Sequence, residues 1–376
     1  MKNNKCNSDI YKKISPKCVK YYGNTFNDKK YNSNLESFKN ESINDYIVDE
    51  CNGYEEFTSL KTIINKVDRI IAIGDIHSDL NLAKKILKIA KVITDDEEWC
   101  GGNTYVIQVG DQIDSYRSSK KKTDDGEIPN DVNTMFFFSE LHKQAYKKGG
   151  AVISLLGNHE LMNVLGDMRY VSHNNLSSFD TNKDLENGTR ERIRLFSVGN
   201  EYAKYMACTR YSAVIVNDIL FAHAGILPEF AKRLNMKSRE DLEIFNNVIK
   251  LWLLGKIDTE KIKYMITNKK SLFWNRIFGN IEPNKNPMEC SVHFDPMTTH
   301  YLKIGHMIVG HSPQSIIHDT SINSTCNGKL WRVDSGSSYS FNNIVDSKHR
   351  YPQALEIITN KNNEKKFSII KDDICF

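Results

Sequence analysis

From Val67 onward the chain alternates between short β-branched runs, each closed by a Gly or a polar cluster, and helix-length segments with one apolar face. The runs are Arg69 to Ile73, Tyr105 to Val109, Ala151 to Leu156, Ala213 to Val216, Ile219 to Ala222, Met307 to Val309 and Leu330 to Val333. A last pair, Ala354 to Ile358 and Lys366 to Ile370, is split by a polar "TNKNNEK" and predicts a hairpin. After the first run Asp79 can cap a helix in which Leu82, Ile86 and Ile89 share a face. Thr134 to Lys148, with Phe137, Leu141 and Ala145 in register and Gly149 as the stop, predicts another after the second. Repeated strand–helix–strand units of this kind predict an α/β fold whose functional groups gather at the carboxyl ends of the strands.

Other regions break the pattern. Between about 226 and 300 it turns mainly helical, with candidates at Arg239 to Leu254 and Thr259 to Thr267, and reads as a cap beside the sheet. Ser118 to Asp131, Ser172 to Arg190 and Asn280 to Pro296 are polar and predict surface loops. Residues 1–66 are rich in Asn, Lys, Ser and Tyr with no sustained period. They read as an extension, a mobile or loosely docked arm whose tyrosines could pack onto the main domain at 67–376.

Composition narrows the class. Hydrophobic residues make up 40% and charged residues 26% of the chain, which allows a core and excludes global disorder. The 51 basic and 47 acidic residues nearly cancel, so no strong field draws in a polyanion and nucleic acid is not expected as a partner. No apolar run reaches the roughly 18 residues of a membrane span, and the amino terminus lacks the apolar stretch of a signal peptide. The eight cysteines are scattered with no CxxC pair and read as reduced thiols of a soluble intracellular, most simply cytoplasmic, protein.

The predicted strand ends carry, in order, "GDIHS" (Gly74 to Ser78), "GDQID" (Gly110 to Asp114), "GNHE" (Gly157 to Glu160), "FAHAG" (Phe221 to Gly225) and "VGHS" (Val309 to Ser312). Asp75 and His77 are two apart, so in extended geometry both project from one side and can reach one ion together. A single Asp or His after a strand is more often a cap or turn residue than a ligand; five such ends in succession reverse that expectation. Carboxylate, imidazole and amide oxygen together suit Mn, Fe or Zn better than Ca or a thiolate-selected metal.

These five segments resemble the signature of the calcineurin-like metallophosphoesterases, specifically their phosphoprotein phosphatase branch. "GNHELMNVLGDMRYV" (Gly157 to Val171), "VGHSPQ" (Val309 to Gln314), "VDSGSS" (Val333 to Ser338) and "QALEI" (Gln353 to Ile357) further resemble the Shewanella-like, bacterial-type subgroup. The likeness runs from about Val67 to Ile358. It implies a central β-sandwich flanked by helices and two metal ions, Mn, Fe or both, with Zn as an alternative. It also implies that Asp75 and His77 bind the first metal, that Asp111 bridges, and that Asn158, His223 and His311 complete the second. The implied activity is hydrolysis of phosphomonoesters on phosphorylated protein or peptide side chains by a metal-bridging hydroxide, with His159 as general acid and Asp114 as its partner.

The chain departs from that pattern at the phosphate clamp. The branch reads "GDxxDRG", whereas Ser115 and Tyr116 follow Asp114 here, so another Arg must supply the guanidinium fork. Arg276 of "LFWNR" is the first candidate, Arg117 the second and Arg169 of "GDMRYV" the third, with Asp167 as a loop buttress. Ser78 and Ala224 replace frequent glycines, and Met162 and Trp274 read as buried apolar residues rather than substrate contacts. The altered clamp leaves open a nucleotide or diadenosine polyphosphate hydrolase on the same scaffold, and a non-catalytic phosphoprotein-binding chain.

Overall fold

The computed structural model describes residues 34–39, 43–117, 128, 130–283, 287–342 and 344–372. The strands are β1 (Ile63–Ile64), β2 (Arg69–Ile73), β3 (Tyr105–Gln108), β4 (Ala151–Leu155), β5 (Arg210–Tyr211) and β6 (Ala213–Val216). They continue with β7 (Ile219–Ala222), β8 (His306–Val309), β9 (Asn323–Thr325), β10 (Leu330–Arg332), β11 (Gln353–Thr359) and β12 (Lys365–Lys371). One sheet runs β12-β11-β2-β3-β4-β5, with β2 to β5 parallel and the predicted hairpin added antiparallel at β2. The other runs β1-β6-β7-β8-β10-β9, in which β7, β8 and β10 are parallel.

Period-two burial stacks the sheets. Ile70 and Ala72, Ile107 and Val109, and Ile153 and Leu155 of the first sheet meet Val214, Val216, Phe221 and Ile308 of the second in one inner core. The opposite residues of the first sheet, Ile71, Ile73, Val106 and Val152, pack on Leu82 and Ile86 of the helix Leu80–Ile89 and on Phe138 and Leu141 of the helix Asp131–Tyr146. Asp79 caps the former, its carboxylate accepting from Leu82 N at 2.9 Å. The outer face of the second sheet, including Ile215, Leu220 and Met307, is covered by helices, among them Pro228–Leu234 and, within the two spans named from the sequence, Asp241–Leu253 and Thr259–Thr267. The result is a β-sandwich between helical layers, the architecture the sequence predicts. Among the described residues no helix is long and apolar enough to cross a membrane.

Three expectations change. The stretch 172–190 is not a plain loop: it contains the helix His173–Ser177 and the start of the helix Leu185–Phe196, because Leu176, Ile193 and Phe196 find apolar partners only in the folded chain. Of the other two predicted loops, 118–127 and 129 lie outside the described residues, while 280–296 includes a helical turn at Cys290–Phe294.

The polar extension is not a loose arm over its described part. Leu35, Ile47, Cys51 and Phe57 are buried, and β1 pairs with β6. Tyr211 Oη donates to the carbonyls of Phe57 and Leu60 at 2.8 and 2.7 Å. Residues 1–33 lie outside the described residues.

The cysteines are not all reduced thiols. Cys51 is bonded to Cys208 and Cys290 to Cys326, across sequence separations of 157 and 36, while Cys100 is free and exposed. Scattering in sequence therefore said nothing about proximity in space. Cys6, Cys18 and Cys375 lie outside the described residues.

Docking of the extension is testable through Phe57, which is 3% exposed and packs its ring 4.4 Å from that of His142. Phe57→Ala is predicted to lower unfolding free energy by about 3 kcal/mol, measured by denaturant titration; a change within error would show that the segment adds no stability.

Candidate active site

Parallel strands deliver their carboxyl ends to one rim, and five turns leave the sandwich there, four of them led by glycine: those after β2, β3 and β4 from one sheet, those after β7 and β8 from the other. The turns are tied to each other before any ligand is considered. Ile76 N and His77 N both donate to Asp111 O, and Ser78 N donates to Gln112 O. The buried Glu160 carboxylate accepts from three backbone amides, Gly157 N at 2.7 Å, Gln112 N at 2.8 Å and Asp111 N at 3.0 Å. His311 N donates to the Asp75 carboxylate at 3.1 Å.

The packing leaves no slack. A Cβ on Gly157 would lie 2.1 Å from Asp111 Oδ1, and one on Gly310 would lie 2.3 Å from Asp75 Oδ1, so glycine is required at both. His77, Ser78, Asp111, Asp114 and His311 all take the left-handed backbone conformation, with φ between 49° and 72°. Such conformations cost about 1–3 kcal/mol each and persist where surrounding bonds over-determine them. Ser78, in place of the frequent glycine, accepts it at φ 68°.

Six predicted ligands come together: Asp75, His77, Asp111, Asn158, His223 and His311 are all buried. His223 Nδ1 donates to Val109 O at 2.9 Å, His77 Nδ1 to Ile113 O at 3.2 Å, and His311 Nε2 to Trp274 O at 3.2 Å. A carbonyl only accepts, so each of these nitrogens carries a proton, and in the neutral ring the other nitrogen presents a lone pair inward. His223 Nε2 then faces Asn158 Oδ1 at 3.0 Å, His311 Nδ1 at 3.1 Å and Asp111 Oδ2 at 3.3 Å. Such distances are satisfied either by a proton on His223 Nε2, which the adjacent Asp111 favours, or by a cation among these acceptors. Donors about 2.0–2.2 Å from a shared ion are separated by about 3 Å, so the spacing fits a bound metal.

The opposite side is looser. His77 Nε2 lies 3.9 Å from Asp75 Oδ2 and 4.0 Å from Asp111 Oδ2. Two groupings of side chains meet the spacing of an ion site, His77 with Asp111 and His159, and Asp111 with His223 and His311.

Burial and mutual proximity shift the titratable groups of this site. Burial pushes the Asp75 carboxyl well above its ordinary range, with neighbouring Asp334 and Asp111 adding to it. Burial likewise raises Asp334, to about 6. Burial would raise Asp111 too, but His223, His159 and His77 around it outweigh this and hold it well below the usual carboxylate range. Burial, followed by the charges of Arg117 and His159, pushes His77 well down; burial, Arg276 and His223 do the same to His311. Burial would lower His223 as well, but the adjacent Asp111 carboxylate reverses the direction.

His159 stands apart from the ligand set in its bonding. Its Nδ1 is 2.8 Å from Asp114 Oδ2, which leaves Nε2 facing the cluster, 3.8 Å from Asp111 Oδ2. Asp114 is fully buried and also accepts from Asn163 Nδ2 at 2.9 Å.

The three candidate arginines sit differently. Arg276 is solvent-exposed and donates through Nη1 to His311 O at 2.8 Å. Arg117 is buried; its Nη1 donates to the carbonyls of Tyr116 and Asp114, and its guanidinium lies 4.8 Å from the ring centre of Phe341 and 5.5 Å from that of Tyr170. Arg169 is engaged by the carboxylate of buried Asp167, with Nε–O distances of 2.9 Å and an Nη2–O distance of 2.7 Å. Met162 is fully buried, and Trp274 is half-buried with its Nε1 donating to Ile266 O at 2.8 Å.

Glu160, Asp334, Asn163 and Arg192 were given no role by sequence reasoning. The first three lie inside the quoted motifs, which was the available signal. Arg192 lies two residues beyond the predicted loop and carries none.

A match to the calcineurin-like phosphoesterase family spans residues 68–315, about two thirds of the chain. Shewanella-like protein phosphatase 2 of Arabidopsis thaliana is 28% identical over 314 residues, 74% of each chain. Shewanella-like protein phosphatase 1 of Plasmodium berghei is 28% identical over 317 residues, 82% of this chain and 76% of that one. An uncharacterized protein of Acanthamoeba polyphaga mimivirus is 39% identical over 245 residues, 60% of this chain and 96% of that one. Among solved structures, the cold-active protein tyrosine phosphatase of a psychrophilic Shewanella species shares the fold at a TM-score of 0.55, with 18% identity and 82% of each chain covered. With a family match over most of the sandwich and the family's motifs at its strand ends, the chain belongs to the calcineurin-like phosphoesterases, among relatives named Shewanella-like protein phosphatases.

Proposed function

We propose that this chain is a dinuclear metal phosphatase that hydrolyses phosphomonoesters on protein side chains. One observation carries the reading: three histidines spend their outward N–H groups on backbone carbonyls and turn their lone pairs toward a buried carboxylate, Asp111. In this reading Asp75, His77 and Asp111 hold one ion, and Asp111, Asn158, His223 and His311 hold the second. Mn or Fe suits this mixed oxygen and imidazole set, with Zn as the alternative. When bound, the ion pair supplies Lewis acidity that offsets phosphoryl charge and acidifies a water.

The chain's own groups do the rest. His159 carries the proton destined for the leaving oxygen on Nε2, while Asp114 at 2.8 Å fixes the ring and offers a counter-charge. His159 is therefore kept for proton transfer although it lies within reach of an ion; a ligand would have no proton left on Nε2 to give. Phe341 and Tyr170, whose rings lie 5.6 Å from His77 and 4.9 Å from His159, exclude water beside the pair.

Arg276 is the proposed phosphate clamp, since its one backbone bond anchors it beside His311 and its exposure leaves it open to an incoming phosphate. Arg117, covered by two rings, serves as a fixed positive wall. The salt-bridged Arg169 is a loop brace.

Protein stripped with a chelator is predicted to take up about two Mn ions per chain, and His223→Ala about one, by elemental analysis; equal uptake by both would remove His223 from the ligand set. The Mn-loaded protein should hydrolyse p-nitrophenyl phosphate and phosphopeptides, and Asp111→Asn should lower kcat by about 100-fold or more. Preference for diadenosine polyphosphates would move the substrate class to nucleotides, and no turnover on any of these with metals bound would leave a non-catalytic binding protein. Arg276→Ala should raise KM for p-nitrophenyl phosphate about tenfold, the loss of a charge-assisted hydrogen bond, and more than Arg117→Ala does; the reverse order would assign the clamp to Arg117.

A further inference from the structure

Behind the His159–Asp114 pair lies a second buried layer with no contact to the ligand cluster. Arg192, on the helix Leu185–Phe196, is fully buried. Its Nε donates to Asn163 Oδ1 at 2.9 Å, and Asn163 Nδ2 donates in turn to Asp114 Oδ1 at 2.9 Å. Its Nη2 lies 2.7 Å from Asp131 Oδ2 and 3.6 Å from Asp114 Oδ1. Asp131 Oδ1 accepts from Asp114 N at 3.0 Å, so the residue that pairs with Arg192 also holds the backbone of Asp114, which sits in the left-handed region at φ 72°. The rings of Phe179 and Phe196 flank the guanidinium at 5.2 and 4.8 Å and close it off from water.

A buried arginine is costly to desolvate, and its presence has to be matched by the charges it serves. Here it stands between two buried carboxylates, Asp114 and Asp131, that would otherwise repel each other. Its planar fork also sets direction: Arg192 Nε claims the Asn163 carbonyl oxygen, which together with the His159 carbonyl accepting from Asn163 Nδ2 at 3.0 Å turns the NH₂ toward Asp114. With Asp114 Oδ1 so occupied, Oδ2 is left to His159 Nδ1.

We infer that Arg192 is a positioning residue for proton transfer: acting through Asn163 and Asp131, it fixes the Asp114 carboxylate so that His159 Nε2 is aimed at the leaving oxygen. This rests on the reading of His159 as the acid, and the test separates the two. A leaving group that is already a stable anion needs no proton, whereas a poor one does, so loss of the acid steepens the dependence of rate on leaving group.

The Mn-loaded protein, His159→Asn, Arg192→Gln and Asn163→Ala would be assayed on substituted phenyl phosphates from p-nitrophenyl to p-methoxyphenyl, with metal content and thermal melting measured alongside. Arg192→Gln and Asn163→Ala are expected to lose about 10- to 100-fold in kcat on the poorest leaving group, a part of what an acid contributes. They should stay within about threefold on p-nitrophenyl phosphate, with KM and metal content unchanged. Asn163→Ala exchanges a neutral side chain for a neutral one and carries the test where Arg192→Gln does not fold. Equal losses on all leaving groups, or none, alongside a steepened profile in His159→Asn, would overturn the inference alone. A flat profile in His159→Asn would overturn the acid reading and this inference with it.

Discussion

Three imidazoles, an amide and two carboxylates converge on a buried site around Asp111, with His223 Nε2 within 3.3 Å of Asn158, His311 and Asp111. That convergence is the constraint from which the rest of the molecule can be understood. Each imidazole is held by a backbone carbonyl on its far side, so the ring cannot turn away and expose an N–H instead. In the proposed reading, bound cations would balance the charge gathered there. Because the candidate ligands are divided between the two sheets, a bound ion pair would also tie the halves of the sandwich together.

The scaffold holds these groups close together. Glu160 gathers three amides from two turns, and glycines at 157 and 310 let neighbouring backbone come within reach of the Asp111 and Asp75 carboxylates. Left-handed backbone at five site residues is the visible trace of the same demand, since a relaxed turn would carry the side chains outward. Beyond the ligands, the path from Asp114 through Asn163 to Arg192 extends the ordering into a layer that touches neither the ligand cluster nor solvent.

The parts legible in the sequence are those whose signal is local. β2, β6 and β7 and the helix Thr259–Thr267 match their predicted spans because β-branched runs and apolar periods sit within one element. The candidate ligands could be singled out because each turn at these strand ends carries its own Asp, Asn or His. What escaped depends on contacts between distant residues. Leu35 and Phe57 look like isolated apolar positions until the cores of the folded domain receive them. The Cys51–Cys208 pairing spans 157 residues. The first turns of Leu185–Phe196, up to Arg190, read as polar loop because Ile193 and Phe196, which anchor the helix, lie beyond that stretch and meet their apolar partners only in the folded chain.

Anomalous X-ray diffraction from crystals of the Mn-loaded protein tests the central claim most directly. The account predicts two peaks about 3.5–4 Å apart, one against Asp75, His77 and Asp111 and the other against Asp111, Asn158, His223 and His311, with His159 bound to neither. A single peak, or an ion coordinated by His159 Nε2, would contradict it.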